Sequence, residues 1–348
     1  MRPHELLIPT PAGLYCPVAD VHVDPVRPVA RALVTHGHSD HARAGHGAVL
    51  ATAETLDIMA VRYGPDFAGS TQVAEPGRPI DLGGVEATFY PAGHVLGSAQ
   101  IAFRCGGLRI VVSGDYKRAR DPTCAPFELC PCDVFITEAT FGLPVFRHPD
   151  LRGEVDKLLA SVRLFPERTH IVGAYALGKA QRLMRLVREA GHDAPIYIHG
   201  ALRRLTDYYQ SRGVDLGDIR DAPLRDRAKL GGSIVLCPPG QIQDLWARRF
   251  PDPVTAFASG WMRVRARARQ RGVELPLVVS DHADWDDLCR TIRETGAEEV
   301  WVTHGQEDAL VHWCVTQGIR ARPLHLVGYG DEGEAEPGDD AATAEAPA

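Results

Sequence analysis

The chain has 348 residues, 45% of them apolar and 24% charged, a composition that suits one large or two medium globular domains. No run approaches the roughly 18 apolar residues that span a bilayer, and the start, MRPHELLIPTPAGLY, lacks the basic-then-apolar pattern of a signal peptide, so neither a membrane nor a secreted protein is expected. The formal charge of −7 resides in the last eighteen residues, which hold seven acids and no Lys or Arg; the neutral remainder neither favours nor excludes a polyanionic substrate.

The first 140 residues alternate short apolar runs with turn signals, which predicts strands at Ala32–Thr35, Ala48–Thr52, Val85–Tyr90, Ile101–Arg104, Leu108–Ser113 and Val134–Thr137. From about Asp150 the pattern changes. Helices are predicted over Leu151–Arg163, Lys179–Ala190 and Leu202–Arg212, with strands at His170–Tyr175, Pro195–Ile198 and Ser233–Cys237. That alternation is the mark of a parallel βαβ unit. After Arg271 the strand-rich pattern returns, with strands predicted at Leu277–Ser280, Glu299–Thr303 and Pro323–Val327. The whole is that of an α/β protein in which one domain is interrupted by a second. Residues 331–348, made of Gly, Ala, Pro, Thr and acids, bury too little apolar surface to fold and are expected to be a disordered tail. The eight Cys, irregularly spaced, read as reduced thiols of a cytoplasmic protein. Cys130-Pro131-Cys132 has no second pair at zinc-ribbon spacing and is set aside as a metal site.

The chemistry is concentrated in Thr35-His36-Gly37-His38-Ser39-Asp40-His41, at the end of a predicted strand. Three imidazoles and a carboxylate within six residues offer the nitrogen and oxygen donors that suit zinc or manganese. In an extended loop His36 and His38 point the same way and can share one ion, and Asp40 and His41 are placed for a second. His94, Asp115 and His304 stand at other strand ends, where ligands from one sheet edge can converge; together they would complete two sites, with Asp115 bridging both ions.

HxHxDH followed by single His, Asp and His residues at strand ends resembles the metallo-β-lactamase superfamily, over residues 20–143 and 277–305. The segments Ile136-Thr137-Glu138-Ala139-Thr140-Phe141-Gly142, Ala176-Leu177-Gly178-Lys179-Ala180-Gln181 and Ser280-Asp281-His282-Ala283-Asp284-Trp285 resemble its β-CASP nuclease branch. Within that branch the whole chain looks most like the bacterial ligase-associated DNA exonucleases, relatives of Artemis and of the pre-mRNA 3′-end endonuclease. The resemblance implies an αββα sandwich, residues 1–143 and 271–330, with residues 144–270 as an inserted β-CASP α/β domain and the active site between the two lobes. It implies that His36, His38 and His94 hold one divalent ion and Asp40, His41 and His304 the other, both Zn²⁺ or Mn²⁺, with Asp115 between them. Asp24 matches the carboxylate that orients the HxHxDH loop, Asp20 being the competing choice. Glu138 and His282 match the branch's paired acid and imidazole, the latter near the leaving group.

What the resemblance implies in function is a two-metal phosphodiesterase that trims DNA ends, working alongside a DNA ligase and a helicase and acting on DNA, single strands included. His304 does not separate DNA from RNA, because RNA processors of the branch also carry His there. An RNA-processing nuclease is therefore the alternative, and a small-molecule hydrolase of thioesterase or lactonase type a third reading. A polyanion also needs cations beside the metals. Lys179 stands before a predicted helix, where an ammonium and the helix N-terminus can share a phosphate, and the alternating run that begins Arg263, Arg265 would line one face of a strand but scatter in a helix.

Overall fold

A strand with apolar residues on both faces needs a partner layer on each side, and that requirement organises this chain. The computed structural model describes residues 1–324 and 326, apart from Leu224 and Asp226. It divides into two units, the first made of Met1–Pro144 and the described residues from His282 to 326, the second of the described residues of Val145–Asp281.

The first unit opens with a short helix α1 (Pro3–Leu6) and a sheet of β1 (Ile8–Thr10), β2 (Gly13–Cys16), β3 (Val21–Val23), β4 (Arg31–Leu33), β5 (Ala48–Ala51) and, after helix α2 (Ala53–Tyr63), β6 (Thr71–Val73), in that order. A second sheet begins with β7 (Ile80–Asp81), β8 (Glu86–Pro91), β9 (Ala99–Cys105) and β10 (Leu108–Val112), all antiparallel, followed by β11 (Val134–Ala139), parallel to β10.

The second unit alternates α3 (Leu151–Leu164), β12 (His170–Gly173), α4 (Lys179–Glu189), β13 (Ile196–Ile198), α5 (Arg203–Ser211), β14 (Ile219–Asp221), β15 (Ile234–Cys237), β16 (Val254–Ala258), α6 (Arg265–Arg271) and β17 (Leu275–Leu277). Its sheet runs β14-β13-β15-β12-β16-β17 with every described pair parallel. The first unit then resumes with α7 (Trp285–Thr295), β18 (Glu299–Gly305), α8 (Glu307–Thr316) and β19 (Arg320–Pro323), and β18 pairs with β11 in parallel.

Period-two alternation sorts the side chains of the first unit into layers. Ile110, Val112, Ile136 and Trp301 of the second sheet share one core with Leu14, Val23, Leu33 and Leu50 of the first. Their neighbours Val111, Phe135, Val300 and Val302 face the other way, onto Trp285, Leu288 and Ile292 of α7 and Leu310 of α8. Ala32, Val49 and Ala51 pack likewise against Leu56 and Met59 of α2. The first unit is therefore mixed α/β, with two sheets on a common core and helices outside each.

Two expectations change and one open alternative is decided. The strand expected at Leu277–Ser280 is Leu275–Leu277 and pairs with β16 of the second unit, so that unit ends at Asp281 rather than at residue 270. The arginine run from Arg263, for which the sequence leaves strand and helix both open, forms a 3-10 turn and α6, so its side chains are scattered rather than aligned on one face. The strand expected at Pro323–Val327 is found at Arg320–Pro323; residues 331–348 lie outside the described residues. No helix among the described residues is long and apolar enough to cross a membrane.

Candidate metal centre

The loop after β4 is held open by one carboxylate. Asp24, at the end of β3, accepts hydrogen bonds from the Thr35 backbone N–H (2.8 Å) and the Thr35 hydroxyl (2.6 Å), and its Oδ2 lies 2.8 Å from His41 Nδ1. That contact turns His41 Nε2 inward. Thr35 Oγ1, 3.0 Å from His36 Nδ1, does the same for His36. Asp20, the competing candidate, instead accepts from the Tyr15 hydroxyl in an exposed contact. Outer partners of this kind fix ring orientation and tautomer for metal-binding histidines.

His94 and Asp115 reach the same point from the second sheet. His38 Nδ1 lies 3.1 Å from His36 Nε2 and 3.0 Å from His94 Nε2. Asp115 Oδ2 is 3.5 Å from His36 Nε2 and 3.8 Å from His94 Nε2. Four donors around a tetrahedral ion at 2.0–2.1 Å would be about 3.4 Å apart, so the four side chains fit one small cation. Glycine is required beside Asp115: Gly114 has φ +54°, and a Cβ there would come 2.8 Å from Thr35 Cβ.

Of the second set, His41 reaches the same carboxylate. His41 Nε2 is 3.5 Å from Asp115 Oδ2 and 3.7 Å from Asp40 Oδ2. The His304 ring lies 5.1 Å, centroid to centroid, from that of His41. His304 owes its position to a bulge. The pairing of β18 with β11 shifts register between Glu138 and Ala139, which face Thr303 and Gly305, and the extra residue His304 has φ +57°. Bulges re-aim a side chain in this way beside functional sites.

Electrostatics describe a cluster made for a cation. Burial, reinforced by the imidazoles of His41, His94 and His38, holds His36 well below the ordinary histidine range, and burial does the same to His304. Burial also opposes charge on His41, but Asp115, Asp40 and Asp24 outweigh it and draw His41 up to about 10. Burial pushes the Asp115 carboxyl up to about 7 against the pull of His41. Burial disfavours charge on both His36 and His41; neighbouring imidazoles add to it at the first, and carboxylates outweigh it at the second. A divalent cation replaces such protons with one centre that neutral imidazoles and carboxylates all satisfy.

Beside this group stands a second pair. Glu138 Oε2 lies 2.9 Å from His282 Nδ1, and its Oε1 accepts from the Tyr116 backbone N–H at 2.7 Å. His282 Nδ1 is also 4.0 Å from Asp115 Oδ2, and its ring lies 4.6 Å from that of His94. Asp115, Glu138 and His282 could themselves group around an ion, but the short Glu138–His282 contact is that of a hydrogen bond.

The cations named from sequence fall elsewhere. Lys179 is only 2% exposed, with Nζ 3.0 Å from Asp281 Oδ1 and over the Tyr175 ring, so its ammonium is paired with a carboxylate inside the second unit. Arg263 and Arg265 are exposed, one on the 3-10 turn and one at the start of α6. Sequence reading missed Thr35 as the partner of Asp24 and Lys117 as a buried neighbour of His282; no spacing signal marks either.

No family model matches the chain. A protein named probable DNA ligase from Opitutus terrae is 28% identical over 334 residues, which cover 94% of this chain and 31% of that protein. Endoribonuclease YSH1 of Mycosarcoma maydis is 25% identical over 363 residues, covering 79% of this chain and 41% of that protein. Cleavage and polyadenylation specificity factor subunit 3 of Dictyostelium discoideum is 33% identical over 135 residues, 36% of this chain and 17% of that protein. The chain thus spans about a third of the ligase relative, by the 31% covered. A crystal structure of a protein of unknown function from Enterococcus faecalis has a similar fold, with a TM-score of 0.56, 13% identity and coverage of 86% of this chain and 80% of that one. The chain is thus similar in sequence to proteins named as a probable DNA ligase, an endoribonuclease and a polyadenylation factor.

Proposed function

We propose that this protein is a two-metal phosphodiesterase of the β-CASP type that trims DNA ends. In this reading the first unit is the αββα sandwich of the superfamily and the second its β-CASP insertion. The observation that carries the reading is the Glu138–His282 pair, 2.9 Å apart, beside the His36, His38, His94 and Asp115 donors. A small-molecule hydrolase needs the donors but has no evident use for a buried acid–imidazole pair next to them.

Divalent ions held by His36, His38, His94 and Asp115, and by Asp40, His41 and His304, would supply Lewis acidity at the phosphoryl oxygens and acidify water. The chain's own residues do the rest. Asp40, 26% exposed at its side chain, is the carboxylate of the group best able to take a proton from the entering water. As the water oxygen bonds to phosphorus and the P–O3′ bond breaks, His282 gives its Nε2 proton to the departing O3′. The products are a 3′-hydroxyl and a 5′-phosphate. Glu138, accepting from the Nδ1–H, steadies the doubly protonated ring, which gives up its Nε2 proton and is left as the Nδ1–H tautomer. The exposed Arg263 and Arg265 are the groups proposed to contact phosphates.

DNA is favoured as substrate, and a DNA ligase as functional partner, because the relative covering 94% of the chain bears a ligase's name. RNA is the second reading, supported by relatives named as endoribonucleases and cleavage factors. The test is digestion of matched DNA and RNA strands, labelled at the 5′ or the 3′ end, with added Mn²⁺ or Zn²⁺. Stepwise shortening of DNA is expected; faster cleavage of RNA would move the assignment to RNA processing. Turnover of a thioester or lactone with both polynucleotides intact would end the nuclease reading.

A further inference from the structure

Lys117 is a charged side chain where charge is expensive: it is 5% exposed, in the first unit, two residues after Asp115. Lysine is rarely buried unless its ammonium has a task that repays desolvation. Its Nζ donates to the backbone carbonyl of His282 at 3.0 Å, 165 residues away in sequence. The Asp287 carboxylate on α7 lies within reach of its charge and offsets it.

The surroundings give that bond a purpose. Tyr116 O accepts from the Ala283 backbone N–H at 2.6 Å, while Tyr116 N–H donates to Glu138 Oε1. Lys117 N–H donates to Ala92 O, at the root of the His94 loop. The strip Asp115-Tyr116-Lys117 therefore carries the shared carboxylate and grips both partners of the Glu138–His282 pair. His282 is held at its carbonyl by Lys117, at the following N–H by Tyr116, and at its ring by Glu138.

We infer that Lys117 is a positioning residue: its ammonium fixes the His282 peptide and so aims Nε2 at the leaving oxygen. The inference rests on the acid role proposed for His282 and goes beyond it, because it assigns the aim of that acid to a residue outside the set of metal donors. Lys117 acts on proton delivery and not on metal binding, so its loss is felt in proportion to how much the leaving group needs a proton.

The experiment compares three variants of the full chain, Lys117→Met, Lys117→Gln and His282→Ala, on two substrates: an ordinary phosphodiester and an ester with a p-nitrophenolate leaving group. Metal content is measured for each. Methionine keeps the stem and loses the donor, whereas glutamine keeps an N–H donor without the charge. Displacement of a catalytic group by about 1 Å can slow a reaction about 100-fold. Lys117→Met should accordingly cleave the ordinary diester about 10- to 100-fold more slowly, keep its metals, and stay close to the unsubstituted protein on the activated ester. Lys117→Gln should show the same selectivity with a smaller loss, and it carries the test if Lys117→Met does not fold. Equal losses on both substrates, lost metal, or no loss at all would overturn the inference. If His282→Ala itself shows no preference for the activated ester, the acid role fails instead, and the two failures are told apart.

Discussion

Replacing Asp24 by Ala isolates what the loop's anchor contributes. The carboxylate is 4% exposed and accepts from Thr35 N–H, the Thr35 hydroxyl and His41 Nδ1, at 2.8, 2.6 and 2.8 Å. Without it the Thr35 N–H and the His41 ring N–H lose their acceptor. Two orphaned buried donors cost about 1–3 kcal/mol each, hence about 2–6 kcal/mol. Asp24 also has φ +44°, a region that Asp tolerates better than Ala. Asp20 supplies the control: with φ +50° it carries the same backbone penalty but loses only an exposed bond to Tyr15. In chemical denaturation with chelator present, Asp24→Ala should fall about 2–6 kcal/mol below Asp20→Ala. Titration should show metal affinity lowered about 10- to 100-fold in Asp24→Ala alone. Equal stability of the two variants, or undiminished metal affinity in Asp24→Ala, would refute the reasoning.

Asp115→Ala removes the oxygen that lies within 3.8 Å of His36, His41 and His94, so elemental analysis should find less bound metal; two full equivalents would contradict a shared carboxylate. Gly114→Ala forces φ +54° on a residue with a Cβ and drives it against Thr35, which should lower stability by about 1–3 kcal/mol; a thermal melt matching the unsubstituted protein would count against the packing described. Lys179→Met leaves Asp281 buried without its ammonium and should cost about 3–5 kcal/mol while polynucleotide binding at low salt holds; weakened binding with full stability would restore the phosphate-contact role.

The sequence by itself determined what is local. His36, His38, Asp40 and His41 lie within six residues, so they stay neighbours whatever the rest of the chain does. The alternation of apolar runs likewise marked an α/β protein whose pattern changes near residue 150, because burial on a pleated or helical surface imposes its period directly. The preference for Asp24 over Asp20, four residues apart and both beside β3, came only from the resemblance; the contacts that separate them belong to Thr35 and His41, which arrive through the pairing of β3 with β4. Glu138 meets His282 across 144 residues because β11 and β18 pair in parallel and the chain enters α7 beside Tyr116. His304 turns toward His41 at a bulge that no pattern of residue types announces. The cations show the limit most plainly. Lys179 and the arginines Arg263 and Arg265 read alike as positive charge, yet a carboxylate from the far end of the second unit draws the first inside, and the other two stay exposed. Charge and residue type are properties of the chain, whereas burial and partnership are properties of its folded contacts, and only the latter decide what a charge is for.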